Sequence, residues 1–326
     1  MTLTTSFMGL TLKNPVIVAS SGLVRSVEGV VRCAEAGAGA VVLKSLFEEQ
    51  FEAEARAITD ELRESWHAEA HDYVNRMSVA LGPEAYLGFV RDAKGAVDIP
   101  LIASLNCTSH RGWPEFAKRL VDAGADAVEL NLALFLSSSK EDSRAVEDRY
   151  LRIVESVRSS VDVPLAVKVG PYFTSMAHMA ARFAEGGVSA LVLFNRFHQL
   201  DIDVAKLGVI SGSRFSTPQE MSTSLRWVSL LYGRVDCNLV GATGAHDGTG
   251  IVKFILAGAT AVQVASAIYL HGMSRVGEMI ATIERWMESK GFSSLDEVRG
   301  RLSQSVSGDP GAYERFQYIK AIAGIE

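Results

Sequence analysis

The chain has 326 residues and a mass of 35.2 kDa, a length that suits two small domains or one α/β barrel. Apolar residues make up 48% and charged residues 21%, which is ordinary globular usage and excludes general disorder. The net charge of −6 and the pI near 5.7 exclude a broad surface for nucleic acid but leave room for a basic pocket that holds one phosphate.

Targeting and metal signals are missing from the sequence. No apolar run reaches the roughly 18 residues that a membrane span needs, and the N-terminus lacks the basic and apolar stretch of a secretory signal. Cys33, Cys107 and Cys237 lie far apart without a CxxC pair, and no HExxH motif occurs. We therefore expect a cytoplasmic protein that spans no membrane and binds no metal.

Eight short apolar runs recur along the chain. Four follow a small-residue turn of the Ala-Gly-Ala or Gly-Gly-Val type, and three of the other four follow a proline or an Asn-Pro pair. The predicted strands lie within residues 14–19, 36–44, 97–106, 123–131, 161–168, 186–195, 235–243 and 257–266. Continuous apolar strands alternating with helices predict a buried parallel sheet, and eight of them favour a (β/α)₈ TIM barrel over an open Rossmann sheet.

The spacing between these strands predicts the domain organisation. No linker divides the chain, so residues 1–326 form one domain. The gaps after strand two (46–96), strand four (133–160) and strand six (196–234) are longer than one helix requires. We expect these insertions to line the active-site face, followed by a closing helix over 273–290 and a helical tail over 291–326.

Polar residues stand where the apolar strands end, although a buried polar group is costly unless it is paired. The strand-end positions are Ser20, Ser21, Lys44, Ser45, Asn106, Asn131, Lys168, Asn195, Thr243, Gly244, Ala265 and Ser266, of which only Gly244 and Ala265 lack a polar side chain. Two lysines and three asparagines predict a cationic mouth that binds a planar, anionic ligand. Capping or packing roles are the alternative for each residue taken singly.

A glycine-containing turn follows the seventh strand. It reads Gly241-Ala242-Thr243-Gly244, and with Ala265-Ser266 after strand eight it occupies the position where many barrels bind phosphate. The neighbouring His246-Asp247 pair is more typical of a helix N-terminal cap than of a catalytic dyad.

Together these segments resemble one enzyme family, the dihydroorotate dehydrogenases, which are FMN-containing (β/α)₈ barrels of pyrimidine synthesis. The segments that carry the resemblance are Asn14–Gly22, Lys44-Ser45, Glu129–Leu132, Val167–Phe173, Asn195, Gly241–Gly244 and Gln263–Ser266. Leu193–Phe197, Leu225–Trp227 and Leu231–Arg234 resemble a dihydroorotate dehydrogenase-like branch more closely.

The resemblance implies a role for each matching position. It places Ala19, Ser20, Ser21, Lys44, Ser45, Asn106, Asn131, Lys168 and Asn195 around the flavin, with Lys168 near the N1/O2 side of the ring. It places Gly212, Ser213, Gly241, Ala242, Thr243, Gly244, Ala265 and Ser266 around the phosphate. Substrate would contact Lys44, Asn75, Asn131 and Asn195, and Lys44 would take part in catalysis.

The sequence departs from the family at the catalytic base. The family has Cys or Ser where this chain has Leu134, a second Asn where it has Leu136, and Ser or Thr where it has Arg196. A missing base weakens the prediction that dihydroorotate itself is the substrate. Ser138, within the run 137–139, is the candidate replacement, and a solvated loop is the alternative interpretation of that run.

The predicted function is therefore FMN-dependent hydride transfer with a planar anionic substrate, on a CH–CH donor such as dihydroorotate. Two alternatives stay open: a Schiff-base lyase or aldolase-like barrel using a mouth lysine, and a flavin-binding electron-relay subunit without turnover. The chain has no cluster motif of its own, so we expect a separate redox protein as electron acceptor. We also expect a homodimer.

Overall fold

Parallel strands form the centre of the computed structural model, which describes residues 1–49, 82–108, 113–134, 140–197 and 199–324. The strands are β1 (Thr5–Phe7), β2 (Leu10–Leu12), β3 (Val16–Val18), β4 (Ala40–Val42), β5 (Leu46–Phe47), β6 (Leu101–Cys107), β7 (Ala127–Leu132), β8 (Leu165–Val169), β9 (Ala190–Leu193), β10 (Leu200–Asp203), β11 (Gly208–Ser211), β12 (Asn238–Ala242) and β13 (Ala261–Val264). Eight of them pair in the order β4-β3-β13-β12-β9-β8-β7-β6, and a parallel β4–β6 pairing closes the ring. This confirms the predicted (β/α)₈ barrel.

Helices surround this barrel on the outside. They are α1 (Val27–Glu35), α2 (Pro83–Ala96), α3 (Trp113–Asp122), α4 (Ser143–Arg158), α5 (Met176–Glu185), α6 (Met221–Leu231), α7 (Gly248–Ala257), α8 (Ser266–His271), α9 (Ser274–Lys290) and α10 (Pro310–Ala323). Side-chain caps fix several helix starts: Ser26 caps α1, Asp142 caps α4 and Asp247 caps α7. Asp247 thus has the capping role that its sequence favoured. Among the described residues, no helix combines the length and apolarity of a membrane span.

The repeated small-residue turns link helices to the strands that follow them. Their glycines Gly37, Gly124, Gly187 and Gly258 all have φ between +82° and +122°. This left-handed region is accessible to glycine at little cost, which explains why the same residue recurs at each helix-to-strand turn.

The amino-terminal end of the barrel is closed by apolar side chains. Phe7, Met8 and Leu12 from the antiparallel β1–β2 hairpin are buried in one cluster with interior residues such as Ile17 and Val240. The interior therefore has a mainly apolar floor, where the Met8 N–H donates a hydrogen bond of 2.7 Å to Oδ1 of Asn238 at the start of β12.

The segments predicted to be insertions contain additional structure where it is described. The antiparallel β10–β11 hairpin lies in the stretch after β9, and the short β5 pairs with β6 after β4. Residues 50–81 and 135–139 lie outside the described residues. In the predicted tail, two short 3₁₀ turns precede α10.

Gly241 provides a packing test of the barrel wall. A Cβ at this position would lie 2.5 Å from the Phe254 ring of α7, so an added methyl group has no space. We expect Gly241→Ala to lower the free energy of unfolding by about 1–3 kcal/mol, measured by urea denaturation. The matched control is Gly88→Ala in α2, where nothing lies within 4 Å and a gain of about 0.5–1 kcal/mol is expected. Equal midpoints for the two variants would contradict this packing.

Candidate active site

Strand alternation brings one set of polar side chains into the barrel above its apolar floor. Side chains two residues apart share a face of a strand, so Glu129 and Asn131 follow Ala127 inward on β7. By the same spacing, Lys168 follows Ala166 on β8 and Gln263 follows Ala261 on β13. The pairing of Asn131 with Lys168 in register places these neighbours at the same height.

A cleft of about 280 Å³ opens at the carboxyl ends of these strands. Ten predicted site residues line it: Ala19, Ser20, Ser21, Lys168, Asn195, Ala242, Thr243, Gly244, Ala265 and Ser266. Lys168, Arg196 and Arg214 are its charged residues, and none of the described lining residues is Asp or Glu. The cleft is therefore cationic and suits an anionic ligand.

Lys168 is the most deeply placed cation of this cleft, with only 9% of its surface exposed. Its Nζ donates a hydrogen bond of 2.8 Å to Oε1 of Gln263, and Nε2 of Gln263 donates to Oε2 of Glu129. Burial lowers the pKa of Lys168, while the nearby Glu129 carboxylate opposes this effect. Burial likewise raises the pKa of Glu129, against the influence of Lys168 and Gln263.

Two further groups of hydrogen bonds order the polar side chains. The hydroxyl of Ser45 lies 2.9 Å from that of Ser20 and 2.8 Å from that of Ser104, which links three strands of the barrel. Nδ2 of Asn195 donates to Oδ1 of Asn131 over 2.8 Å. These contacts hold hydroxyl and amide groups in place before any ligand arrives.

Lys44 is not among the described residues that line the cleft with Lys168. It continues the inward face of β4, its Nζ lies 4.8 Å from the centre of the Phe47 ring, and burial lowers its pKa. Among the described residues, Lys168 lines this cleft and Lys44 does not. The catalytic, cofactor and substrate roles of Lys44 stay predictions.

Other predicted site residues are also not among the described residues that line the cleft. Ser45, Asn106 and Asn131 belong to the barrel interior, and Gly212 and Ser213 follow the β10–β11 hairpin. Gly241 faces helix α7. Asn75 and Ser138 lie outside the described residues, so their predicted roles in substrate binding and catalysis stay predictions.

Several site residues were missing from the sequence prediction. Gln263 and Glu129 interrupt apolar strands on the inward face, a signal that strand periodicity could have shown. Arg196 is held by Oε1 of Glu220 at 2.9 Å and by the carbonyl of Ser213 at 2.8 Å. These partners come from the loops around the hairpin, and sequence spacing alone gives no such contact.

The position of the family's base is also visible. Leu134 is half-buried, packs against the core, and its backbone N–H donates to the Tyr150 hydroxyl over 3.3 Å. A leucine side chain has no group that accepts a proton. The residue at the position of the family's base is therefore apolar in this chain and packs against the core.

Comparisons with known proteins agree with this architecture. The family model for dihydroorotate dehydrogenase matches residues 2–287. The chain is 30% identical over 307 residues to the catalytic subunit of dihydroorotate dehydrogenase B (NAD(+)) from Methanothermobacter thermautotrophicus, covering 91% of this chain and 97% of that protein.

Two further relatives carry the same description. The Pyrococcus furiosus protein is 30% identical over 315 residues, covering 94% of this chain and 100% of its own length. The Pyrococcus abyssi protein is 29% identical over 301 residues, covering 90% and 97%. The chain therefore belongs to the dihydroorotate dehydrogenase family, whose members are oxidoreductases that act on CH–CH donors.

Proposed function

We propose that this oxidoreductase uses FMN and exchanges a hydride with a small, planar, anionic substrate of the dihydroorotate type. The observation that carries the proposal is the cationic cleft at the carboxyl ends of the barrel strands, with Lys168 buried at its base and no carboxylate among its described lining residues. Membership of a family of dehydrogenases favours this function over an aldolase-like or purely electron-relaying one.

The residues of the cleft fit an anionic flavin nucleotide. Ala19, Ala242 and Ala265 line the cleft with small side chains, which leave space for a ligand. Ser20 and Ser21 add hydroxyl groups to the lining. Gly244, with φ +84°, and Ser266 lie on the side where barrels of this kind bind phosphate. When bound, FMN supplies a ring system that takes up two electrons with a hydride.

The chain's own groups then have separate tasks. Lys168 holds a positive charge at the base of the cleft, where it would stabilise negative charge that develops on a bound ring. Asn131 and Asn195 keep their amides oriented by their mutual hydrogen bond, which would fix the position of a planar ligand. Gly212, Ser213 and Gly241 remain candidates for the phosphate end, although they do not line the described cleft.

Proton removal is the unusual part of the proposal. Leu134 stands where the family has its base, so dihydroorotate oxidation should be slow unless another group accepts the proton. Ser138 is the candidate for this role and lies outside the described residues. A related substrate that needs no proton removal at this position is equally compatible with the cleft.

The relatives also suggest an electron acceptor. Their descriptions name a catalytic subunit of an NAD(+)-linked enzyme, which implies a second subunit in those proteins. We propose that this chain likewise passes electrons to a separate redox protein. A homodimer of this chain and a cytoplasmic location complete the proposal.

The test is the visible spectrum of the purified protein before and after incubation with FMN. We expect the absorption band of an oxidised flavin that remains after gel filtration and that bleaches, slowly, on anaerobic mixing with dihydroorotate. A protein that retains no flavin after incubation would contradict the proposed function. Retained flavin that dihydroorotate never bleaches would contradict only this substrate.

A further inference from the structure

A buried carboxylate contacts the lining of the cleft without lining the cleft itself. Glu129 is 1% exposed, and it is hydrogen-bonded to Gln263, which is 3% exposed and belongs to the cleft lining together with Lys168. Oε2 of Glu129 accepts a hydrogen bond from Gln263, whereas Oε1 has no hydrogen-bond partner among the described residues. A half-paired carboxylate in a protein interior is costly, so its retention calls for a physical reason.

The chemistry of the three groups fixes the orientation of the central amide. An ammonium group only donates hydrogen bonds, and an ionised carboxylate only accepts them. The amide of Gln263 must therefore turn its oxygen to Lys168 and its NH₂ to Glu129, as the structure shows. The opposite orientation would place NH₂ against ammonium and oxygen against carboxylate, with both hydrogen bonds lost.

From this geometry we propose that Glu129 is a positioning residue that acts through Gln263 to hold Lys168 charged and directed into the cleft. The inference rests on the proposed function, because it gives this charge its use beside bound FMN. Glu129 orients the amide, the amide presents its oxygen to Lys168, and the opposite charge of Glu129 offsets the burial of the ammonium. Without the carboxylate, only Lys168 itself orients the amide of Gln263, and the opposite charge that offsets the burial of the ammonium is lost.

The direction in which the midpoint potential of bound FMN changes distinguishes this positioning role of Glu129 from a direct effect of its charge on the flavin. Removing a negative charge near a flavin would by itself make the flavin easier to reduce. Loss of the positive charge on Lys168 makes it harder to reduce, because the reduced ring carries more negative charge. A fall in the midpoint potential after removal of Glu129 is therefore the signature of the relay.

The experiment measures the midpoint potential of bound FMN in Glu129→Gln. We expect the equilibrium constant for reduction to fall at least tenfold, which is about 30 mV for a two-electron couple. In a Lys168→Met background the same change should produce no fall, because the group through which Glu129 acts is gone. Gln263→Met, which keeps both charges and removes the bridge, should lower the potential in the same direction.

The matched control is Asp126→Asn, which makes the same chemical change just before β7 begins. Asp126 pairs with Lys94 and accepts from the Leu101 N–H at the far end of the strand, away from the cleft. The midpoint potential of FMN bound to Asp126→Asn should equal that of FMN bound to the wild-type protein. An unchanged potential in both Glu129→Gln and Gln263→Met, or an equal fall with and without Lys168, would overturn the inference. If Glu129→Gln does not fold, Gln263→Met decides the question alone.

A second experiment uses the protein without flavin, so its result is informative even if the chain does not bind FMN. Burial lowers the pKa of Lys168 in the folded state, and the unfolded chain then binds more protons, so stability rises with pH. Without Glu129 the pKa of Lys168 should fall further, so the free energy of unfolding should increase more with pH. The other charged residues that line the cleft are Arg196 and Arg214.

The measurement in this second experiment is urea unfolding of Glu129→Gln and of Glu129→Gln/Lys168→Met, at about pH 7 and about pH 9.5. We expect Glu129→Gln to gain stability relative to the double variant as the pH rises. Equal changes in the two variants would show that Glu129 does not govern the charge of Lys168. Failure of wild-type protein to bind FMN, by contrast, would count against the proposed function alone.

Discussion

Replacing Lys168 with methionine should slow the substrate-driven reduction of bound FMN by about 10²- to 10³-fold, the loss typical when one preorganised charge is removed from an active site. Lys168 is the buried cation at the base of the cleft, and methionine keeps most of its length without its charge. Anaerobic stopped-flow mixing with dihydroorotate, followed at the flavin absorption band, measures the rate constant.

Two controls distinguish the loss of the positive charge at position 168 from a loss of stability in the Lys168→Met variant. Lys168→Arg keeps a positive charge at the same strand position and should retain more activity than Lys168→Met. Lys168→Met also leaves Glu129 as a buried charge without its opposite, so the double variant Glu129→Gln/Lys168→Met should recover stability but not rate. A Lys168→Met protein that binds FMN and reduces it at the wild-type rate would remove Lys168 from the chemistry.

Replacing Leu134 with cysteine should increase dihydroorotate oxidation by about 10²- to 10⁴-fold, the usual contribution of a general base. The position corresponds to the Cys or Ser of the family, and the present side chain cannot accept a proton. Because Leu134 packs against the core, the shorter cysteine should cost some stability, which a urea denaturation curve would show. The measurement is the bleaching rate of bound FMN after mixing with dihydroorotate.

The control for this gain of function is Leu134→Ala, which makes the same space without a thiol. It should show the stability loss without the rate increase. The rate of Leu134→Cys should also rise with pH as the thiol ionises. If cysteine and alanine give equal rates, proton removal is performed elsewhere, and Ser138 becomes the residue to replace next.

The barrel could be predicted from the sequence because its signal is local and repeated. Each helix-to-strand turn needs a residue with positive φ, so Gly37, Gly124, Gly187 and Gly258 recur at equivalent places. Each strand is buried on both faces, which makes it a continuous apolar run. These requirements act on neighbouring residues, and sequence spacing records them directly.

The site could be predicted only in part, because its contacts join distant strands. The strand-end positions of Lys168 and Asn195 were predicted, but Lys168 meets Gln263 across the barrel interior, 95 residues further along the chain. Glu129 belongs to a segment that resembles the family, but its sequence position alone predicts no role for it. Its inward position follows from its place two residues before Asn131, whereas its partner follows only from the closed ring.

For Lys44, the sequence predicts the position along the strand but not the neighbours of the side chain. Its place after an apolar strand predicts a ligand shared with Lys168, and this stays a prediction because a strand end fixes only the height of a side chain in the barrel. The structure turns its ammonium toward Phe47, while Lys168 lines the cleft. Which wall a long side chain joins depends on the loops around the mouth, and their packing has no simple sequence signal.

The cleft that Lys168 lines is the proposed flavin site. A crystal structure of the protein incubated with FMN tests it most directly. We expect one flavin per chain, with its ring against Lys168 and its phosphate beside Gly244 and Ser266. Density for FMN at another surface, or a cleft without flavin after incubation at saturating concentration, would contradict it.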